Sequence, residues 1–148
     1  MQDRFVRGFL AGVISGIPTL IISIIAFYFK LTTIQWAHFT SVFLYGRVFQ
    51  NFTEQMFAAF TTFIFCGLLG ILLAYLIPKF SSNNYYFKSL LFGISIWFFS
   101  FVVRILFKVP QLQYAPLKTT IINFIMASVW GLMLGYTLKW FDSMLKTS

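Results

Sequence analysis

The sequence predicts an all-α, polytopic membrane protein: a bundle of four transmembrane helices with a short interfacial segment between helices 1 and 2. Of 148 residues, 59% are hydrophobic and 9% are charged, whereas a soluble domain carries about 25% charged residues. The mean hydropathy is +0.85. Four apolar stretches, at residues 9–29, 56–77, 85–107 and 120–141, contain no Asp or Glu. Each stretch can cross a hydrocarbon core of about 30 Å.

We expect a single integral membrane domain over residues 1–148, because four spans of about 20 residues leave only short connections. With their flanking residues, the predicted spans cover about 8–30, 54–77, 85–107 and 118–141. The first apolar run is longer than the hydrophobic region of a signal peptide and no small-residue cleavage site follows it, so we interpret it as a retained span.

The ends of the spans carry recognisable signals. We place the end of span one at Tyr28-Phe29-Lys30. Aromatic rings followed by a cation are typical of the membrane interface. Asn51 and Glu54 form a capping-box pattern at the start of span two, and Pro78 ends that span. Span three is capped by one of three polar residues, Ser82, Asn83 or Asn84.

The connection between spans one and two is too polar to span and too apolar for a free loop. Read as a helix, it places aromatic residues on one face and polar residues on another, which predicts a helix lying in the interface plane. The aromatic set is Trp36, Phe39, Phe43 and Phe49, and the polar set is Thr40, Arg47 and Asn51.

Spans two and four are similar at an offset of 61 residues, which is explained either by an internal duplication or by convergent apolar composition. In a duplication, the two hairpins would be related by an axis along the membrane normal. The matches are Phe63-Ile64 with Phe124-Ile125, Gly70 with Gly131, Leu73 with Leu134, Tyr75 with Tyr136, and Phe80 with Phe141.

Small residues recur every four positions in three spans. This spacing lets two helix backbones approach closely. It predicts either packing within the chain or a seam between subunits. The candidate residues are Gly8, Gly12 and Gly16 in span one, Gly70 and Ala74 in span two, and Ala127, Gly131 and Gly135 in span four.

Two cations and a few uncharged polar residues lie at or inside the spans. Arg104 and Lys108 share a helix face near the end of span three, where they either extend their charges to the interface or hold an anion or a lipid headgroup. Four further residues either bond between helices or line a polar path for a solute: Ser95, Ser100, Asn123 and Ser128.

The sequence offers no pattern for catalysis, for a metal or for a cofactor. It has one histidine, His38, and one cysteine, Cys66, and neither has the partners that a metal or haem site needs. We interpret His38 as a solvated interfacial residue and Cys66 as a packing residue. No nucleophile–base set, carboxylate pair or phosphate loop is present, so we expect no enzyme activity.

The net charge of +8 is distributed over the span ends, which indicates contact with membrane lipids rather than with nucleic acid. Six cations lie on the side of the termini and five on the other side. The positive-inside rule therefore places both termini in the cytosol by a small margin.

The chain resembles the YqhR-type conserved membrane proteins of Gram-positive bacteria. The resemblance rests on Arg7-Gly8-Phe9 with Gly12, Tyr28-Phe29, Leu91-Phe92-Gly93-Ile94 with Trp97, and Gly131 with Gly135-Tyr136. It implies four spans and a location in the bacterial cytoplasmic membrane, and it supplies no activity or site.

These features favour a non-catalytic accessory or scaffold subunit that packs against itself, lipids or a larger membrane complex, with the glycine face of span one as part of its partner surface. The alternative is an oligomeric transporter or channel-like protein for a neutral, anionic or lipidic solute.

Overall fold

The computed structural model describes residues 3–80 and 84–146, which are helical throughout apart from short connections. The helices are α1 (Arg4–Tyr28), α2 (Trp36–Tyr45), α3 (Phe52–Leu76) with a 3₁₀ turn at Ile77–Lys79, α4 (Tyr85–Phe107), the single turn α5 (Pro110–Gln113) and α6 (Leu117–Lys146). Four of them, α1, α3, α4 and α6, are long and apolar enough to cross a membrane. The predicted fold class is confirmed.

Side chains accept hydrogen bonds from free backbone N–H groups at the starts of α3 and α4. Asn51 Oδ1 accepts a hydrogen bond from the Glu54 backbone N–H at 2.8 Å, as the capping pattern predicts. The Glu54 carboxylate bonds instead to the backbone N–H of Gln50 and to the Arg47 guanidinium. Asn84 caps α4 through the backbone N–H of Phe87, and the alternative caps Ser82 and Asn83 lie outside the described residues.

The α1–α3 contact is built on glycine. A Cβ atom at Gly8 would lie 2.8 Å from the Cα of Ile71, and one at Gly70 would lie 2.8 Å from the Cα of Gly12. These distances are too short for any real side chain, so the absence of Cβ atoms sets how closely the two backbones approach. The glycine face of α1 therefore packs against α3 of the same chain, so the partner surface expected on that face is not free to bind another protein.

The α4–α6 contact repeats this arrangement with other residues. A Cβ at Gly93 would lie 3.0 Å from the Cα of Gly131, and Gly135 faces the side chain of Ser89. The small residues of α6 thus pack against α4 rather than against α1.

Helix α1 also packs against α6, so the four long helices follow the spatial order α3–α1–α6–α4. Arg7 near the start of α1 forms an ion pair with Asp142 near the end of α6. At the opposite end, the Thr33 backbone N–H donates to Thr119 Oγ1 at 3.0 Å. These contacts place the start of α1 and the end of α6 at the same end of the bundle.

The interfacial segment forms helix α2, which packs mainly on α3. Its polar side chains are buried, with Ser41 fully inaccessible and His38 6% exposed. His38 lies between the rings of Phe27 and Phe49, and it accepts a hydrogen bond from the Gln35 backbone N–H. The interpretation of His38 as a solvated residue is therefore wrong, because the rings of neighbouring segments exclude water from it.

Candidate ligand-binding cavity

A cavity of about 250 Å³ lies inside the bundle, between α2, α3, α4 and α6. It exists because α3 and α4 make at most marginal contact with each other, whereas α1 and α6 pack directly. Helix α2 occupies part of the space between α3 and α4 and leaves the rest open.

Hydrocarbon and aromatic groups form most of the cavity wall. Trp36 and Phe39 of α2 face Phe65 and Leu69 of α3, and Ile96 closes the side formed by α4. No charged side chain of the described residues lines it. A charged ligand would lose its hydration there without gaining a counter-ion, so the cavity favours a neutral molecule.

Three residues of this wall each have a buried polar atom without a hydrogen-bond partner. These atoms are Nε1 of Trp97, Nε1 of Trp130 and Oδ1 of Asn123. Trp130 is 1% exposed and Asn123 is 4% exposed. The amide nitrogen of Asn123 is already engaged, since it donates to the Thr119 carbonyl at 3.0 Å.

Such unpaired atoms are energetically unfavourable. A buried donor or acceptor without a partner costs about 1–3 kcal/mol, and most buried polar groups in native proteins are paired. These atoms have almost no accessible surface, so a bound molecule that accepts from an indole N–H or donates to the Asn123 carbonyl would remove part of that cost only after a small side-chain shift. The cavity therefore combines an apolar wall with a few polar residues, as ligand pockets do.

The three polar residues come from two helix faces. Asn123 and Trp130 are seven residues apart and so lie on one face of α6. Trp97 packs edge-on against Phe124 of α6, with ring centroids 5.2 Å apart. Asn123 is nearer the start of α6 and Trp130 nearer its middle, so the cavity extends from near the bundle end toward the middle of the bundle.

The cavity opens on the outer surface of the bundle. Phe43 and Leu44 at the end of α2, together with Phe65 of α3, line the cavity and are also exposed, Phe43 by 57%. Phe43 contacts the ring of Phe107 at the end of α4. The rim of the opening is therefore apolar, which favours entry of an apolar molecule.

Hydrogen bonds hold α2 in place beside the cavity. The Thr62 hydroxyl donates to the Ala58 carbonyl, so in the 2.7 Å contact between the Thr40 and Thr62 hydroxyls it is Thr40 that donates. The Trp36 backbone N–H donates to Ser23 Oγ of α1 at 3.0 Å.

The structure brings together two of the four residues considered for a polar path. Ser100 and Asn123 line the cavity, with the Ser100 hydroxyl donating to the Trp97 carbonyl. Ser95 and Ser128 do not line it, and their hydroxyls donate to the carbonyls of Leu91 and Phe124.

Arg104 and Lys108 are outside the residues that line the cavity. The Arg104 guanidinium lies over the ring of Phe101, 4.1 Å from its centroid, and two of its nitrogens, Nε and Nη1, have no hydrogen-bond partner. Lys108 is the exposed C-cap of α4, with φ of 48°. An anion or headgroup site at these two cations stays a prediction.

Reasoning from the sequence missed Trp97 and Trp130 as site residues, although their position carries a signal. Tryptophan in membrane proteins concentrates at the two interfaces. Trp97 and Trp130 instead lie near the middles of α4 and α6, where an indole N–H needs a partner.

Among residues 3–80 and 84–146, no three His, Cys, Asp or Glu side chains come close enough to hold a metal ion. Comparison of the chain with protein-family models, with curated proteins and with solved structures finds no match.

Proposed function

We propose that this chain is a non-catalytic membrane protein that holds one neutral, lipid-like molecule in the cavity between α2, α3, α4 and α6. The observation that carries the proposal is an apolar cavity whose wall includes Asn123 and Trp130, two residues that each have a buried polar atom without a hydrogen-bond partner. A molecule with a hydrocarbon body and a hydroxyl or carbonyl group matches this wall in polarity and in hydrogen bonding.

We propose that the chain acts as a small accessory subunit of a larger membrane complex. The bound lipid and the outer faces of the helices would form its contact with the partner. Helix α4 offers the largest such face, because Phe98 and Phe99 are each more than 60% exposed and few residues of this helix are buried. This outward face replaces the glycine face of α1, which α3 covers.

A transporter with one polar path has less support. Such a path would bring Ser95 and Ser128 into the same cavity as Ser100 and Asn123, whereas both hydroxyls bond to carbonyls of their own helices. A neutral or lipidic cargo is the part of this alternative that the cavity supports.

We place the termini in the cytosol and the bundle in the bacterial cytoplasmic membrane. Arg4, Arg7 and Lys88 surround the bundle end at which α1 begins, and cytosolic loops carry an excess of cations. The bacterial membrane is the location implied by the resemblance to the YqhR-type proteins.

Native mass spectrometry of protein purified in mild detergent tests the proposal. We expect one neutral lipid per chain in the wild type. Ser100→Leu places a larger side chain in the cavity and should raise the Kd for the lipid at least about tenfold, the equivalent of 1.4 kcal/mol. Ser95→Leu is the matched control, because Ser95 lies on the same helix, bonds to its own backbone in the same way and lies outside the cavity.

Loss of the lipid in both variants, or its retention in both, would contradict binding in the cavity. The accessory role is tested separately, by measuring the mass of the complex extracted with its native partners. A monomer free of other proteins would argue against a scaffold.

A further inference from the structure

A second cavity, of about 290 Å³, lies at the end of the bundle where α1 begins. It is distinct from the apolar cavity, with which it shares no lining residue. Its polar wall consists of Arg4 and Arg7 of α1, Tyr85 and Lys88 of α4, and Asp142 of α6. We call this set the basic pocket.

The charges in the basic pocket do not cancel. Asp142 is its one carboxylate among the described lining residues, and both oxygens are engaged: one pairs with Arg7 Nη1 and the other accepts from the Tyr85 hydroxyl at 2.7 Å. Lys88 Nζ donates to the backbone carbonyls of Ile77 and Phe80, which carry no net charge. Three cations therefore face one carboxylate.

Arg7 also has an unused donor. The residue is 7% exposed, and its Nε has no partner although it is buried. A guanidinium is planar and binds oxyanions through several N–H groups at once. Its pairing with Asp142 uses one nitrogen and leaves Nε to be satisfied by another acceptor.

The first turn of α1 adds to the positive potential. This turn contains Arg4 and Arg7 and no acidic residue, although the partial positive charge at a helix N-terminus favours anions. Asp3 accepts a hydrogen bond from the Phe5 backbone N–H and does not line the pocket.

From these observations we propose that the basic pocket binds a phosphate group, carried by an anionic lipid headgroup or supplied as free phosphate. A tetrahedral oxyanion has acceptors for Arg7 Nε, for the exposed Arg4 and for Lys88 together. The pocket lies at the end of the apolar spans, which is the depth of lipid phosphates. Ile77 and Leu138 in its wall provide a surface for the first carbons of an acyl chain.

Titration of the full chain in neutral detergent tests the site. Phosphatidylglycerol and phosphatidylcholine are added in separate series followed by native mass spectrometry, and inorganic phosphate is added in a third series followed by calorimetry. Tighter binding of phosphatidylglycerol than of phosphatidylcholine supports a lipid headgroup as the source. Saturable binding of phosphate alone, without a preference between the two lipids, supports free phosphate.

The variants are Arg4→Gln and, as a matched control, Lys139→Gln. Lys139 is a cation near the same end of the bundle that lies 5.0 Å from the ring centroid of Tyr86, outside the basic pocket. Arg4 is exposed, so its replacement leaves the fold intact. We expect Arg4→Gln to weaken binding about tenfold or more, as the loss of a charge-assisted hydrogen bond does, and Lys139→Gln to change it less than about twofold.

For a third variant we expect the affinity for phosphate to change in the opposite direction. Asp142→Asn removes the negative charge that repels an anion and weakens the contact with Arg7 Nη1, so it should tighten phosphate binding. Equal weakening by Arg4→Gln and Lys139→Gln, or the absence of a preference for phosphatidylglycerol together with no binding of phosphate, would overturn the assignment.

Discussion

Single positions set the distance between helices in this bundle. Gly12 faces the backbone of Cys66 and Gly67 on α3, where a Cβ atom would overlap the Cys66 carbonyl oxygen. Gly16, one turn further along α1, faces the Cys66 side chain instead, and a Cβ there would lie 3.2 Å from its Sγ. A side chain can adjust by a few tenths of an ångström, whereas a backbone carbonyl within a helix cannot.

This difference predicts unequal effects of alanine at the two positions. Gly12→Ala forces α1 and α3 apart and should destabilise the fold by about 1–3 kcal/mol. Gly16→Ala should cost much less, because alanine favours the helical state by up to about 1 kcal/mol over glycine. Unfolding of the two variants in mixed micelles with a denaturing detergent gives the comparison, and equal stabilities would contradict the close approach at Gly12.

His38 makes the stability of α2 depend on pH. Burial lowers the pKa of His38 from 6.5 to about 4, because the charged imidazolium loses its hydration. The unfolded chain therefore binds a proton at a higher pH than the folded chain does. The neutral side chain contributes its full stability above pH 6.5, and that contribution falls as the pH drops toward 4.

We therefore expect acidification from pH 7 to pH 4 to destabilise the protein by up to about 3 kcal/mol. A His38→Gln variant, which does not titrate, should be less stable at pH 7 and should lose this pH dependence. Thermal unfolding measured at several pH values distinguishes the two proteins. A wild-type midpoint that stays constant between pH 7 and pH 4 would contradict the burial of His38.

At the scale of elements, α2 lies between α3 and α4 and keeps these two helices from packing against each other. The pairs α1–α3 and α4–α6 are built alike: Gly12 meets Gly70 in one, and Gly93 meets Gly131 in the other. Gly70 and Gly131 are also equivalent at the offset of 61 residues, and Lys30 and Lys108 after the first helix of each pair both have positive φ. An internal duplication stays a prediction, which these contacts support.

Helix α2 has no counterpart in the similarity between the pair α1–α3 and the pair α4–α6. An α3–α4 contact would be the counterpart of α1–α6, but α2 and the apolar cavity lie in its place. Gly46 ends α2 with φ of 68°, a conformation that costs an ordinary L-residue about 1–2 kcal/mol.

Replacement of Gly46 therefore tests how firmly α2 is terminated. Gly46→Ala should destabilise the end of α2 by about 1 kcal/mol, although no atom lies within 4 Å of the position that a Cβ would take. Gly46→Asn should cost less, because asparagine tolerates this conformation. Amide hydrogen exchange over α2 reports the effect, and identical exchange in both variants would contradict a strained cap.

The long helices could be predicted from the sequence and the surroundings of α2 could not. Length, apolar composition and the absence of acids are local properties, so the four spans and the cap at Asn51 follow from neighbouring residues alone. Burial of Thr40 depends on Thr62 of α3, which lies opposite only after the chain has folded back. Trp130 is similar, because the rings that pack against it, Trp36 of α2 and Phe92 of α4, come next to it only in the folded chain.

At the scale of the whole molecule, the start of α1 and the end of α6 lie at the same end of the bundle, as four spans require. The ion pair of Arg7 with Asp142, and the bond from Tyr85 to the same carboxylate, tie α1, α4 and α6 together at that end. Tyr28 and Gln55 meet at the other end.

Cysteine labelling in sealed vesicles checks this topology. In a C66A background, D3C and S143C should react with a membrane-impermeant thiol reagent from one side, and Q50C only from the other. Reaction of D3C and Q50C from the same side would contradict the four-span arrangement.

The central claim, a neutral lipid held inside the bundle, is tested most directly by tryptophan fluorescence. Trp36, Trp97 and Trp130 line the cavity and Trp140 lies outside it, so a Trp140→Phe variant keeps every residue of the proposed site and its fluorescence reports on the cavity. A brominated monoacylglycerol should quench this variant saturably, at one molecule per chain, and the unbrominated lipid should reverse the quenching. The same variant carrying Ser100→Leu should show only a gradual response to bulk lipid. Quenching that does not saturate, or that is equal with and without Ser100→Leu, would contradict the account.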